Sequence, residues 1–330
     1  MKKVVNNVDH VVEEMLDGIV TTHADSIKRI DNTTVLVRED APIKDKVGLV
    51  SGGGSGHEPA HAGYIGEGML DAAVVGEVFT SPTPDQVLEA IKAVDSGAGV
   101  LLVIKNYTGD VMNFEMAAEL AEAEGINVEK VIVNDDVAVE DSTFTTGRRG
   151  IAGTVFVHKI AGALAETGAS LAEVKAVANK VIANVRSMGV ALSACTVPAA
   201  GKPSFALENN EMEIGIGIHG EPGIERVSLQ SADQITATLL EKILLDIEFE
   251  GSEVAVMING MGATPEMELY IVQRQVAKLL ENKGITIYRT WIGEYMTALE
   301  MSGFSITLLK LDDQLKDGLN ANSKALAFRV

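Results

Sequence analysis

The sequence alternates short apolar runs with longer segments of helical period, and this alternation most constrains the fold. Four continuous apolar runs are typical of strands buried on both faces: residues 47–50, 72–75, 100–104 and 128–133. Between them, residues 84–94 and 110–124 carry apolar side chains at three- and four-residue spacing. Alternating strands and helices predict an α/β fold whose first domain is a largely parallel sheet flanked by helices.

The pattern changes in the second half of the chain. Ser170 and Glu173 form a capping box, and a valine repeat on one face then predicts a helix that runs through Val185. Thr264, as a cap, and Pro265 predict a second helix start. The proline- and glycine-containing loop 193–204 suggests a boundary. We therefore predict two domains, 1–192 and 193–330, the second a smaller mixed α/β domain.

Charge and cysteine content exclude several classes of protein. The 330 residues include 27 basic and 47 acidic side chains, giving a net charge of −20, so no basic footprint for nucleic acid is present. Cys195 is the single cysteine, which excludes an internal disulfide. No apolar stretch approaches the roughly 20 residues that span a bilayer. We expect a cytoplasmic protein with neither nucleic acid nor membrane as a partner.

Glycines crowd the segment 51–59, Ser-Gly-Gly-Gly-Ser-Gly-His-Glu-Pro, directly after a predicted strand. Because glycine permits positive φ and close approach of backbone N–H groups, we interpret it as a loop that cradles an anion or a polar small molecule. A tight turn that merely joins two elements is the alternative. Neither the dinucleotide fingerprint nor the Gly-Lys-Ser/Thr ending of a phosphate loop is present.

The same segment contains the spacing of a zinc-hydrolase motif, with Glu58 between His57 and His61. That motif needs a continuous helix, so that both imidazoles share one face. Pro59 argues against such a helix, because proline is tolerated only in a first turn. We therefore predict no metal site, and zinc hydrolysis is the least favoured hypothesis.

Two further segments carry candidate side chains. Lys105 and Asp110 flank a small turn after the apolar run 100–104, where open α/β sheets bind ligands. Asp110 can accept a proton from a substrate hydroxyl, or it can simply cap the following helix. His219 lies between glycines at the end of a predicted strand, and a neutral imidazole is a competent nucleophile toward a carbonyl. A lone histidine is, however, more often structural.

The remaining histidines and methionines carry less information. We expect His10, His23 and His158 to be structural. The 12 methionines are interpreted as core filler, among them the following five: Met112, Met116, Met257, Met261 and Met267.

Three segments in order resemble the substrate-binding domain of the dihydroxyacetone kinases: 51–59, Lys-Asn-Tyr-Thr-Gly-Asp at 105–110, and Gly-Ile-His-Gly-Glu-Pro-Gly at 217–223. Shorter segments at 80–84, 147–150 and 259–265 also resemble that family, so the similarity covers nearly the whole chain. We expect no additional nucleotide-binding domain of the kind that the single-chain, ATP-dependent members carry. The resemblance therefore implies the substrate-binding subunit of the bacterial kinase type that depends on phosphoenolpyruvate and the phosphotransferase system.

The resemblance implies a phosphotransferase function and specific roles for residues. His219 would form a covalent hemiaminal with the ketone carbon of dihydroxyacetone. The bound triose would be surrounded by one set of residues: Gly54, Ser55, Gly56, His57, Lys105 and Asp110. This chain would hold no cofactor, because the family's adenine nucleotide with magnesium sits on a separate kinase subunit, which a phosphohistidine carrier recharges. A homodimer is also implied.

A covalent bond makes physical sense for this substrate. Dihydroxyacetone differs little from glycerol, and only a carbonyl can accept the imidazole nitrogen, so the adduct selects ketones and positions a hydroxyl for phosphoryl transfer. His57 and Asp110 would handle protons, one at the adduct oxygen and one at the attacking hydroxyl, in an order that the sequence leaves open. The family also contains co-activators that bind the triose without catalysis. A non-catalytic sensor is therefore the alternative function.

Overall fold

The computed structural model describes residues 2–140 and 147–330, which form two six-stranded sheets and eight α-helices. The first sheet contains β1 (Ile27–Arg29), β2 (Val35–Arg38), β3 (Gly48–Ser55), β4 (Ala72–Val78), β5 (Val100–Lys105) and β6 (Val128–Val133). The second contains β7 (Val185–Ala191), β8 (Glu211–Ile214), β9 (Glu225–Ser228), β10 (Glu253–Gly260), β11 (Thr286–Glu294) and β12 (Gly303–Lys310).

The helices are α1 (Val11–Thr22), α2 (Pro84–Val94), α3 (Thr108–Ala123), α4 (Thr154–Ala165), α5 (Leu171–Asn184), α6 (Ala232–Asp246), α7 (Glu266–Asn282) and α8 (Asp313–Asn320). Single turns of 3-10 helix cover Val8–His10 and Ala62–Tyr64. Within the described part of the chain, no helix combines the length and the apolar character that crossing a bilayer requires.

The strand orders confirm the predicted α/β class. The first sheet has the order β1-β2-β4-β3-β5-β6, with parallel pairing from β4 through β6 and antiparallel pairing at β1 and β2. The second has the order β11-β10-β12-β7-β8-β9 and is parallel only between β10 and β11. The first sheet is thus largely parallel, as predicted, and the second contains both parallel and antiparallel pairs.

Alternate side chains of the first sheet enter two different apolar clusters. Val50 and Leu102 pack with α2 and α3 on one face, whereas Leu49 and Leu101 pack with α4 and α5 on the other. The second cluster continues to side chains of the second sheet, among them Met257. A third cluster joins the remaining face of that sheet to α6 and α7. Two-sided burial explains why these strands are continuously apolar.

Several predicted element boundaries are wrong. β3 does not end at residue 50 but continues through Ser55, so most of the supposed glycine loop is strand. A Cβ on Gly52 or Gly54 would clash with backbone atoms of β4 or of the turn after it, and the glycines therefore permit close strand packing. Val185 begins β7 rather than extending α5.

The predicted start of α7 needs correction. Thr264 does not cap α7, which begins at Glu266 with Pro265 as its N-cap; the Thr264 hydroxyl instead donates to the Gly303 carbonyl at 2.6 Å. β7 belongs to the second sheet, although its residues lie before the predicted domain boundary at residue 192. The division into domains 1–192 and 193–330 stays a prediction.

The methionine expectation is wrong for three side chains. Met257 and Met261 are fully buried, as expected of core filler. Met112 and Met116 of α3 and Met267 of α7 are exposed, because they lie on the outer faces of their helices.

Candidate active site

A cavity of about 630 Å³ opens where β3 and β5 end and α3 begins. Three of the predicted site residues line it, namely Gly54, Asp110 and His219. The other lining residues are Phe79, Thr80, Ser81, Tyr107, Thr108, Gly109 and Asn113. The carboxyl ends of parallel strands are where open α/β sheets bind ligands, so this cavity is the candidate site.

His219 is held by a carboxylate two residues further along the chain. Its Nδ1 lies 2.8 Å from Oε1 of Glu221, and its backbone N–H donates to Oε2 at 2.9 Å. An ionised carboxylate only accepts hydrogen bonds, so Nδ1 carries a proton, and in the neutral imidazole Nε2 is the nitrogen with the free lone pair. The His219 side chain is 16% exposed and lines the cavity, which leaves the imidazole accessible to a small molecule.

Glu221 is ionised despite its burial. Burial favours the neutral carboxyl, but the adjoining His219 and the nearby Arg149 outweigh it and lower the pKa of Glu221 to about 2.

The predicted strand around His219 is absent, because β8 ends at Ile214 and residues 215–223 form a compact loop.

His57 is fully buried beside His219, with ring centroids 4.7 Å apart. Its Nδ1 donates to the Thr297 carbonyl oxygen at 2.8 Å, and its Nε2 has no partner among residues 2–140 and 147–330. Burial, Lys105 and His219 lower the pKa of His57 well below its ordinary value. His57 is therefore neutral, and its Nε2 is a free acceptor.

Lys105 and Asp110 converge on Gly53. A Cβ built on Gly53 would lie 3.4 Å from Nζ of Lys105 and 3.5 Å from Oδ2 of Asp110, so the missing side chain leaves a small space between them. Burial lowers the pKa of Lys105 and raises that of Asp110, while the attraction between the two groups opposes both shifts. No hydrogen-bond partner for Nζ lies in the described residues.

Asp110 is not a helix cap. The N-cap of α3 is Tyr107, and Asp110 lies inside the first turn with 4% of its surface exposed. This arrangement removes the capping alternative for Asp110 and leaves its carboxylate at the cavity wall.

Ser55 and Gly56 have structural partners. The Ser55 hydroxyl donates to the Gly76 carbonyl at 2.6 Å, and the Gly56 carbonyl accepts from the Leu299 N–H at 2.7 Å. These contacts tie the end of β3 to β4 and to the segment after β11. Of the predicted Gly-Ser-Gly set, only Gly54 lines the cavity.

The segment 57–61 is not helical, so the zinc-motif geometry is absent there. His61 and His57 point to different partners: Nδ1 of His61 lies 3.0 Å from Nε2 of His158, whereas His57 contacts Thr297. His158 is fully buried in α4, as a structural residue would be.

Sequence reasoning missed several site residues. Phe79 stacks on His57 with centroids 5.0 Å apart, and Tyr107 meets His219 edge-on at 4.6 Å. Glu221 lies in the segment 217–223 and could have been recognised as a carboxylate close to a histidine. Thr297 could not have been recognised from the sequence, because it contacts His57 through its backbone carbonyl and lies 240 residues away along the chain.

Comparison with known proteins shows the family to which the chain belongs. Residues 17–327 match the family model described as the Dak1 domain. The PTS-dependent dihydroxyacetone kinase 1, dihydroxyacetone-binding subunit DhaK, of Listeria innocua is 59% identical over 315 residues, 95% of each chain. The PEP-dependent dihydroxyacetone kinase, dihydroxyacetone-binding subunit DhaK, of Escherichia coli is 47% identical, also over 95% of each chain.

Solved structures share the whole fold. The dihydroxyacetone kinase of C. freundii superposes with a TM-score of 0.91 at 39% identity, covering 99% of this chain and 60% of that one. The dihydroxyacetone kinase operon co-activator Dha-DhaQ also gives 0.91, at 38% identity, covering 96% and 98%. The resemblance inferred from the sequence motifs is confirmed, and the chain belongs to the Dak1 domain family, together with the subunits of dihydroxyacetone kinases.

Proposed function

We propose that this protein binds dihydroxyacetone as a covalent hemiaminal on His219 and presents it for phosphorylation to dihydroxyacetone phosphate. The observation that carries the proposal is the 2.8 Å contact between Nδ1 of His219 and Glu221, which leaves Nε2 nucleophilic beside the cavity. The names of the bacterial relatives, dihydroxyacetone-binding subunits of PTS- or PEP-dependent kinases, support the choice of substrate.

The covalent step adds N and H across the ketone. The Nε2 lone pair of His219 forms a bond to the ketone carbon, and the π electrons of C=O move to oxygen, which takes up a proton from solvent. Nδ1 loses its proton to solvent by way of Glu221, so one proton leaves the imidazole for each one gained by oxygen, and both the adduct and Glu221 keep their charge. Lys105, whose Nζ offers only donors, would polarise the ketone oxygen. A polyol has no carbonyl carbon to attack.

The hydrogen bond to Thr297 suggests how the proton roles divide. His57 presents an acceptor at Nε2, so it would accept a hydrogen bond from the adduct hydroxyl next to His219. Asp110 lines the open cavity at the first turn of α3. We assign to Asp110 the role of accepting the proton of the terminal hydroxyl that attacks the phosphoryl group. The donor would enter from this open side.

The phosphoryl donor belongs to other subunits in this proposal. An adenine nucleotide with magnesium would be carried by a nucleotide-binding kinase subunit, and a phosphohistidine carrier of the phosphotransferase system would recharge it. Lys105, Asp110, His57 and His219 all meet at the site, which favours an enzyme over a ligand sensor. Homodimer formation and a cytoplasmic location stay predictions.

The test supplies this protein with the kinase subunit and phosphocarriers of a bacterial PTS-dependent system and measures triose phosphate. We expect phosphoenolpyruvate-dependent product, and Asp110→Asn should reduce turnover by about 10²- to 10⁴-fold, the usual contribution of a general base. The exposed Asp31→Asn is the matched control and should leave turnover unchanged. Adduct formation without any triose phosphate would instead establish the sensor function.

A further inference from the structure

A buried charge network lies behind His219, on the side of Glu221. Arg149 and Asp136 are both fully buried, and Arg149 donates to Oδ2 of Asp136 from Nε at 2.8 Å and from Nη2 at 2.6 Å. Nη2 also donates to the Gly215 carbonyl at 2.8 Å, which ties the guanidinium to the loop that carries His219. Asp136 thus fixes the orientation of Arg149.

Arg149 faces Glu221 across Gly217. A Cβ on Gly217 would overlap Oε2 of Glu221 and would lie 2.6 Å from Nη1 of Arg149, so only glycine leaves the space between the two groups open. Nη1 is buried and has no hydrogen-bond partner in the part of the chain that the structure describes. The guanidinium and the carboxylate also influence each other: Arg149 lowers the pKa of Glu221, and Glu221 raises that of Arg149.

We propose that Arg149, oriented by Asp136, is a positioning residue that keeps Glu221 anionic and so fixes the tautomer of His219. This inference rests on the proposed function, since the tautomer matters because Nε2 must attack a carbonyl. Glu221 is only 1% exposed, so burial favours its protonated carboxyl, and His219 and then Arg149 oppose this. When His219 is a neutral imidazole its charge no longer contributes, and the guanidinium of Arg149 is a cation that still does. A protonated carboxyl can donate to Nδ1, and the imidazole proton then moves to Nε2, which ends its nucleophilicity.

A purely structural role for Arg149 makes a different prediction. Its ion pair with Asp136 joins residues 136 and 149 to Gly215, so its loss could reduce stability without changing the imidazole. The tautomer of His219 in the folded protein separates the two roles. It can be read from long-range ¹H–¹⁵N correlations of ¹⁵N-histidine-labelled protein, with the His219 signals assigned from a His219→Asn sample.

The experiment compares the wild-type protein with Arg149→Met and Arg149→Lys. We expect a proton on Nδ1 in the wild type, transfer to Nε2 in Arg149→Met, and partial rescue by lysine. The dissociation constant of the dihydroxyacetone adduct should rise in parallel by about tenfold or more, as is typical when a group that orients another is removed. Arg148→Met, which loses a neighbouring guanidinium paired with Asp246, is the matched control and should change neither readout.

Asp136→Asn provides a second variant if Arg149→Met fails to fold, because it removes the carboxylate that orients the guanidinium and leaves Glu221 in place. A folded Arg149→Met or Asp136→Asn protein with the wild-type tautomer and adduct affinity would overturn the inference. A tautomer that depends on Arg149 in a protein that forms no adduct would overturn the proposed function alone. The two failures are therefore distinguishable.

Discussion

The Nδ1 atom of His57 lies 2.8 Å from the carbonyl oxygen of Thr297, across 240 residues of sequence. A carbonyl oxygen only accepts, so this contact fixes the proton on Nδ1 and leaves Nε2 as an acceptor. It also joins the end of β3 in the first sheet to the segment after β11 in the second. The chemical role of His57 therefore depends on how the two halves of the chain pack.

The segment that carries Thr297 is held in place by Asn259. The Asn259 amide donates to the Met296 carbonyl at 2.8 Å and accepts from the N–H groups of Tyr295 and Met296 at 2.9 Å each. Asn259→Ala should lower the free energy of unfolding by about 1–3 kcal/mol, because buried backbone groups lose their partners. It should also lower kcat, whereas the exposed Asn282→Ala should change neither quantity. Denaturant unfolding and the triose phosphate assay measure both; an unchanged kcat would refute the role given to this segment.

Gly53→Ala tests whether the space between Lys105 and Asp110 holds the substrate. The new methyl group would lie within 3.5 Å of both groups and should raise KM for dihydroxyacetone about tenfold or more, because it occupies that space. Gly53 has φ +156°, so a loss of stability is expected as well. Gly125→Ala, at φ +89° with nothing nearby, controls for backbone strain and should leave KM unchanged. Equal KM in both variants would place the substrate elsewhere.

Three buried histidines make the stability of the protein depend on pH. Burial, followed by the charge of Lys105, lowers the pKa of His158 to about 3, and the pKa values of His57 and His61 are also well below normal. Below the unfolded-state pKa of about 6.5, the unfolded chain binds protons that the folded protein does not, so stability falls as pH falls.

His158→Leu isolates one of these contributions. Between about pH 5.5 and 4, the slope of unfolding free energy against pH should decrease by about 1.4 kcal/mol per pH unit relative to the wild type, since one proton fewer is taken up on unfolding. Urea titrations at several pH values give this slope. The partly exposed His23→Leu is the control, and an identical slope for His158→Leu and wild type would contradict a neutral, buried His158.

Much of the architecture could be predicted because burial on both faces leaves a clear apolar pattern. The bounds of α2 and β6 match the prediction, and β5 extends it by one residue. The sequence predicts a strand for the first part of β3 and a loop for its second part, because glycines normally mark turns. Here they allow the backbone to approach β4 and the turn that follows. Val185 continued a valine repeat of helical period, but it pairs with Leu309 of β12, a contact that local sequence cannot reveal.

The candidate site also contains some contacts that the sequence could predict and others that it could not. His219 and Glu221 are two residues apart, so their contact is local and the motif contains both. The placement of Asp110 against Gly53 follows from adjacent parallel strands, which sequence order suggests. His57 contacts Thr297, and Arg149 lies close to Glu221. Both pairs depend on packing between distant segments of the chain, and no residue pattern indicates either pairing.

Selectivity between a ketone and a polyol should depend on His219. The wild-type protein should bind dihydroxyacetone much more tightly than glycerol, because only the ketone forms the covalent bond. In His219→Ala the two dissociation constants should lie within about threefold of each other, a difference of less than 1 kcal/mol, since only the shared hydroxyl contacts remain. Calorimetric titration with both ligands measures this, with His10→Ala as the exposed control. A strong ketone preference that survives in His219→Ala would contradict the role of the imidazole.

Carbon-13 NMR of the protein with dihydroxyacetone labelled at its central carbon tests the covalent adduct most directly. With the wild-type protein, the ketone resonance should be replaced by a resonance of a tetrahedral carbon, coupled to nitrogen when the histidines are ¹⁵N-labelled. The same resonance should be absent with His219→Ala. A wild-type complex in which the central carbon keeps its ketone resonance at saturating protein would contradict covalent binding.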